Sequence, residues 1–209
     1  PSLTTHDIPA YLQYILQRIN TARDIHFYTN TTIDTLDYSG TSLNSGSKVV
    51  IAAYGEVVRS LATQVPDALK NLNGFNNASM VMPGVMSLQS AAFTSYANAS
   101  EEMQNLNNQL KNLDLTGIVF ITIGDDANFI AATLNNYLWV TYTRCNPSHD
   151  MYGINATSIN KHWGCTGPVI FDARIKPHHA PPLVLDAVTE KNIQRIFEKG
   201  GSLYGVLSK

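Results

Sequence analysis

Residues 117–144, "GIVFITIGDDANFIAATLNNYLWVTYTR", decide the fold. An apolar run from Ile118 to Ile123 closes on Gly124 and two acids, and a long helical pattern follows. A strand that is apolar without alternation is buried on both faces, which requires layers on either side of it. Just upstream, "SEEMQNLNNQLKNLD" (100–114) repeats apolar residues at Met103, Leu106, Leu110 and Leu113. That spacing predicts a helix, with Ser100 as its N-cap and acids in its first turn. Helix, strand and helix in this order predict an α/β fold, a mixed and largely parallel sheet flanked by helices.

Outward from this core, "PVIFDARI" (168–175) reads as another strand. "DAVTEKNIQRIFEKGG" (186–201) reads as a last helix, opened by Asp186 and stopped by Gly200 and Gly201. On the amino-terminal side, Ile8, Leu12, Ile15, Leu16 and Ile19 lie at helical spacing. "IHFYTNTTIDTLDYSG" (25–40) alternates like a partly exposed strand pair, "SGTSLNSGS" (39–47) is a loop, and "KVVIAAYG" (48–55) reads as a short buried strand. Short strands are expected at "SMVMP" (79–83) and "VMSLQ" (85–89). The expected division is an amino-terminal helix and strand pair over 1–45 leading into an α/β domain over 46–209, packed together as one unit.

Only 14% of the 209 residues are charged, and the net charge is −2. Without a basic run there is no electrostatic reason to expect nucleic acid or an anionic membrane surface as partner. No apolar run approaches the roughly 18 residues of a membrane span. The start "PSLTTHDIPAY" shows no signal peptide and no initiating Met, which suits a processed or excised piece. Cys145 and Cys165 are too few for a disulfide framework, so a cytoplasmic location is expected over the secretory route that four Asn-x-Ser/Thr triplets would permit.

Candidate chemistry collects in three places. Asp125 and Asp126 end the apolar strand, where paired carboxylates could hold a cation or one could cap the next helix. Arg144 could clamp a phosphate or carboxylate, while Cys145 and His149 could form a thiolate pair. The densest stretch is "NKHWGCTGPVIFDARIKPHHAPPL" (160–183), with Lys161, His162, Lys176, His178 and His179. Adjacent histidines on extended chain point to opposite faces, and neither an HExxH pattern nor a CxxC pair supports a metal site. Nucleotide-binding glycine motifs and a nucleophile elbow are absent as well.

Read together, "GDDANFIAATLNNYLWVTYTRCNPSHD" (124–150) and the 160–183 stretch resemble the C-terminal part of the UbiD family of reversible decarboxylases. The family's strand ending in acids, helical tryptophan, Thr-Arg-x-x-Pro turn and strand ending in Asp-Ala-x-x-Lys fall here on particular residues. These are Asp125, Asp126, Trp139, Thr143, Arg144, Pro147, Asp150, Asp172, Ala173 and Lys176. "SKVVIAAYG" (47–55) is similar to the strand that starts this domain, and the histidine-rich stretch is similar to the aromatic-acid, phenylphosphate carboxylase-like branch. The resemblance spans roughly residues 45–200.

It implies loss or addition of carbon dioxide on an aromatic or α,β-unsaturated acid, with prenylated flavin mononucleotide and a divalent metal in the complete enzyme. It also implies that the family's Glu-Arg-Glu/Asp catalytic set and flavin-phosphate ligands lie outside this chain, because none of the five glutamates matches those motifs. The chain is therefore expected to be a C-terminal lid and oligomerisation domain or split subunit, inactive alone and holding no cofactor by itself. Its partners would be a flavin-binding N-terminal half and further copies of itself. No catalytic or metal residue is assigned; Lys176, Lys161, His178, His179 and Arg144 are the candidates to face an anionic cofactor or substrate across a cleft. Two alternatives are a free-standing metal-dependent enzyme using Asp125, Asp126 and the histidines, and a non-catalytic small-molecule-binding domain.

Overall fold

A computed structural model describes residues 3–42, 44–181 and 186–206. Leu43 of the loop, Pro182 and Leu183 of the histidine-rich stretch, and the last three residues lie outside them. The chain divides into two compact units, residues 1–179 and 180–209.

The first unit is built on a five-stranded sheet in the order β3-β4-β5-β9-β6. Its strands are β3 (Phe75–Met82), β4 (Val85–Ser90), β5 (Phe120–Gly124), β9 (Val169–Asp172) and β6 (Met151–Gly153). The central β4, β5 and β9 are parallel, and the two outer strands run antiparallel. The sheet is thus mixed, with helices on both faces, as the apolar run at 118–123 implies. Register sets Leu88 beside Ile123 and Ile123 beside Asp172, so the three parallel strands end level.

Helix α2 (Tyr96–Leu110) lays Met103, Leu106 and Leu110 on one face, against Met86, Ile121, Ile123 and Ile170. On the other face Ile130, Tyr137 and Val140 pack on Phe120, Val169 and Phe171. They come from helices α3 (Ala127–Ala132) and α4 (Leu134–Arg144). Every residue of β5 is buried, with neighbours alternating between the two layers. The turn between β3 and β4 needs Gly84, whose φ is +81° and whose absent Cβ would stand 2.8 Å from the Leu61 side chain.

Three local expectations are corrected. Ser95, not Ser100, caps α2, its side chain accepting from the Asn98 N–H. The long helix after Gly124 is two helices, because Thr133 is extended and its hydroxyl, accepting the Asn136 N–H, caps a new helix that starts at Leu134. The 48–55 segment does not enter the main sheet. Instead β2 (Gly46–Ile51) pairs antiparallel with β1 (Ile25–Thr31) in a separate ribbon with alternating exposure. A second ribbon joins β7 (Ala156–Ile159) to β8 (His162–Cys165) through Asn160 and Lys161, with φ of +51° and +67°. Two left-handed residues give the turn type whose twist suits a two-residue hairpin. Phe27 and Trp163 meet edge to face between the ribbons at 5.3 Å.

The unit also carries α1 (Ile8–Arg18), capped by Asp7, and the short α5 (Pro147–Asp150). In the second unit Asp186 caps α6 (Ala187–Phe197), accepting from the Thr189 N–H, and Gly200 follows at φ +95°. Among the described residues no helix is long and apolar enough to cross a membrane.

Candidate functional site at the carboxyl ends of the parallel strands

Ligand sites of open α/β sheets lie beyond the carboxyl ends of the parallel strands. Here that edge carries Ser90 and Ala91 at the end of β4, Asp125 and Asp126 after β5, and Asp172 to Lys176 at the end of β9. The two acids after β5 divide their work. Asp126 caps α3 through the Phe129 N–H at 2.9 Å. Asp125 accepts the Ile175 N–H at 2.8 Å and faces the Arg144 guanidinium at 3.5 Å, so it fixes the segment after β9.

Residues 172, 174 and 176 point to one side of extended chain. All three are fully buried. Arg174 binds Asp172 bidentately, Nε to Oδ1 at 2.9 Å and Nη2 to Oδ2 at 2.7 Å. Its Nη1 donates to Glu102 Oε2 at 2.6 Å, Ser90 Oγ at 3.1 Å and the Ala91 carbonyl at 3.0 Å. Burial disfavours the charged guanidinium, but the two carboxylates outweigh it and raise its pKa. The fork therefore ties β9 to the β4 exit and to α2.

Lys176 Nζ donates to the Asp172 carbonyl at 2.9 Å and the Arg144 carbonyl at 3.2 Å, and lies 3.3 Å from Asp150 Oδ1. Burial pushes the Asp150 carboxyl up to about 6, against the pull of the Lys176 charge. The Phe93 ring covers both cations, at 5.6 Å from Arg174 and 5.4 Å from Lys176.

The candidate residues thus separate. Lys176 is enclosed and internally satisfied. Lys161 is exposed in the β7–β8 turn, on a different sheet from the strand-end network. Arg144 stays partly open, its guanidinium against the Trp139 ring and Asp125. His178 and His179 meet edge to face at 4.6 Å, and His179 Nδ1 takes the Lys176 N–H at 3.1 Å. Burial lowers both imidazole pKa values, His179 to about 4 with the Lys176 charge adding to it, so His179 is neutral at pH 7. His162 belongs elsewhere, beside His26 at 5.4 Å. Cys145 is buried and its thiol pKa raised by that burial, while His149 Nδ1 contacts Ser148 Oγ, so the two form no activated thiolate. Among the described residues no three His, Cys, Asp or Glu side chains gather as metal ligands.

Tyr96, Phe93 and Glu102 were not singled out from the sequence. Their place at the site depends on the β4-to-α2 connection, which carries no motif. Tyr96 packs on His149 at 5.3 Å and on Phe93 at 5.1 Å. Three side-chain atoms of this neighbourhood are buried without a hydrogen-bond partner: Tyr96 Oη, His178 Nε2 and His179 Nε2. Each is left for a water or a group from outside this chain, whereas Asp150 Oδ1 already faces the Lys176 ammonium.

A family model described as the 3-octaprenyl-4-hydroxybenzoate carboxy-lyase C-terminal domain matches residues 2–53. An uncharacterized protein of Chlamydia caviae is 26% identical over 187 residues, which are 90% of this chain and 30% of that protein. A Chlamydia pneumoniae protein, named as one of the subunits of a 4-hydroxybenzoate decarboxylase, is 26% identical over 182 residues, 87% of this chain and 29% of its own length. Over residues 2–53 the chain is similar to the UbiD C-terminal domain. Its match to the UbiD C-terminal domain model lies amino-terminal to the motifs at 124–176, and the similarity to whole relatives embraces both regions. The chain spans about 30% of the length of the curated relatives it matches.

Proposed function

We propose that this chain is the lid and assembly part of a UbiD-like reversible decarboxylase for an aromatic or unsaturated carboxylic acid, without activity on its own. The observation that carries the proposal is the strand-end network. Asp172, Arg174, Glu102, Lys176 and Asp150 engage one another, which makes the edge a rigid support and not a set of free acids, bases or nucleophiles. The unpartnered atoms of Tyr96, His178 and His179 add a reason for an outside group to settle there. The Chlamydia pneumoniae relative, named as a subunit of a 4-hydroxybenzoate decarboxylase, supports a partner on a separate polypeptide; on this reading that partner, or the longer portion of the same one, binds the flavin.

In the complete enzyme the reading assigns carbanion stabilisation to prenylated flavin mononucleotide held with a divalent cation. The residues of this chain do not fit that group. Lys176 and Arg174 are enclosed, His179 is neutral, and among the described residues of this edge only Arg144 brings a cation to the open side, already facing Asp125. No step is routed through the cofactor here; the chain's own contribution is to seal one wall and hold Arg144, Trp139 and the paired histidines in place.

Reconstitution tests this. The chain is co-expressed with a flavin-binding N-terminal portion of a UbiD-family carboxy-lyase and a flavin prenyltransferase, and carbon dioxide release from 4-hydroxybenzoate is followed without oxygen. Activity is expected only when both parts are present. Turnover by the chain alone, or unchanged turnover of the other portion when the chain is added, contradicts the proposal.

A further inference from the structure

Two concavities of the first unit adjoin at Lys111 and Asn155, away from the strand-end network. One, of about 370 Å³, lies at the amino-terminal ends of β5 and β9, with Arg59, Thr116 and Thr166 in its lining. The other, of about 590 Å³, lies between α2 and the β6–β7 segment and is lined by Gln104, Asn108, Tyr152, Thr157 and Trp163. Both volumes fall in the range of about 300–1,000 Å³ usual for small-molecule sites.

The first cavity favours an anion. Arg59 Nη1 donates to the Leu16 carbonyl at 2.8 Å, and among the described residues no carboxylate pairs with this guanidinium. Burial lowers its pKa with no acid opposing, so a partly desolvated charge lacks a counter-ion. Lys111 Nζ rests on the neutral amide of Asn108 at 3.1 Å. The one acid in the lining, Asp114, turns its carboxylate onto Thr116, accepting the N–H at 2.9 Å. The second cavity has no ionised side chain besides the shared Lys111. It offers amides and a hydroxyl of both hydrogen-bonding senses beside two aromatic side chains, which suits a flat, polar, uncharged ring.

We propose that the joined groove binds a purine nucleoside monophosphate, a phosphorylated small molecule carrying a flat polar ring, and not the flavin of the decarboxylase reading. The phosphate sits at Arg59 and Lys111, and the ring lies toward Gln104, Tyr152 and Trp163. This site is independent of the decarboxylase reading and draws on none of its residues.

Calorimetric titration of the full chain with AMP, adenosine and inorganic phosphate tests the proposal. AMP is expected to bind at least about tenfold more tightly than either fragment. Arg59→Gln is expected to weaken AMP and phosphate by about tenfold while sparing adenosine, since it removes the phosphate-matching fork. Gln104→Ala is expected to weaken AMP and adenosine while sparing phosphate. Circular dichroism checks folding, and Lys111→Gln replaces Arg59→Gln if the latter does not fold. The proposal is overturned if AMP does not saturate, if phosphate binds as well as AMP, or if folded variants of both cavities leave AMP affinity unchanged.

Discussion

Replacing Arg174 by methionine tests the strand-end network at its centre. The substitution keeps an unbranched apolar stem but removes the bidentate bonds to Asp172 and the 2.6 Å bond to Glu102. The two acids are left in different circumstances. Glu102 is 36% exposed at its side chain and can return to water, whereas Asp172 is at 0% and cannot. Removing one partner of a buried pair costs about 3–5 kcal/mol, chiefly the penalty of the charge left behind. For a chain of this size that corresponds to a melting temperature lower by roughly 6–20 °C. Adding Asp172→Asn removes the stranded charge, so the double variant is expected to recover about 2 kcal/mol or more. Urea unfolding followed by far-ultraviolet circular dichroism measures both. A single variant within about 1 kcal/mol of wild type, or a double variant less stable than the single one, would refute the reasoning.

Asp150 supplies a pH dependence of definite sign. Its folded pKa of about 6 stands above the unfolded value, so folding takes up a proton between roughly pH 4 and 6. Stability from this group is full below about pH 4 and declines by about 3 kcal/mol as pH rises through 6; Asp150→Asn is expected to abolish that decline in urea titrations across the range. Asp126→Ala is expected to cost about 1 kcal/mol as a lost helix cap, and Asp125→Ala more, because it also frees the Ile175 N–H and the Arg144 contact; thermal melts rank the two. Gly164→Ala would drive a Cβ to 2.6 Å from the Ala22 carbonyl oxygen, and a loss of about 1–3 kcal/mol is expected in the same assay.

The features legible in the sequence are those set by short-range physics. The apolar run at 118–123, interrupted only by Thr122, specified a doubly covered strand, and both faces of β5 are packed. Asp186 announced its helix, and the periodic leucines of 106 and 110 announced the α2 face. Errors arose where two local readings compete. Val49 and Ile51 read as buried, but β2 found its partner in β1 rather than in the main sheet, and pairing depends on distant chain. Ser95 and Ser100 are both acceptable caps by type, and the burial of Ala99 in the first turn goes with the earlier start.

At the site, the sequence showed that charge concentrates around 172–179 but not which way it faces. Extended geometry placed Asp172, Arg174 and Lys176 together, yet their enclosure follows from Glu102, Asp150 and Phe93, contributed by segments 22 to 83 residues away. Long-range partners of this kind leave no spacing signature.

On the proposed function, this chain seals a decarboxylase and does not hold its cofactor. The direct measurement is flavin content. The chain is co-expressed with a flavin prenyltransferase and purified without oxygen, beside a full-length UbiD-family enzyme prepared identically. Flavin absorbance is then divided by protein concentration. Flavin is expected in the full-length enzyme and none in the chain alone. Near-equimolar flavin in the chain alone would contradict it.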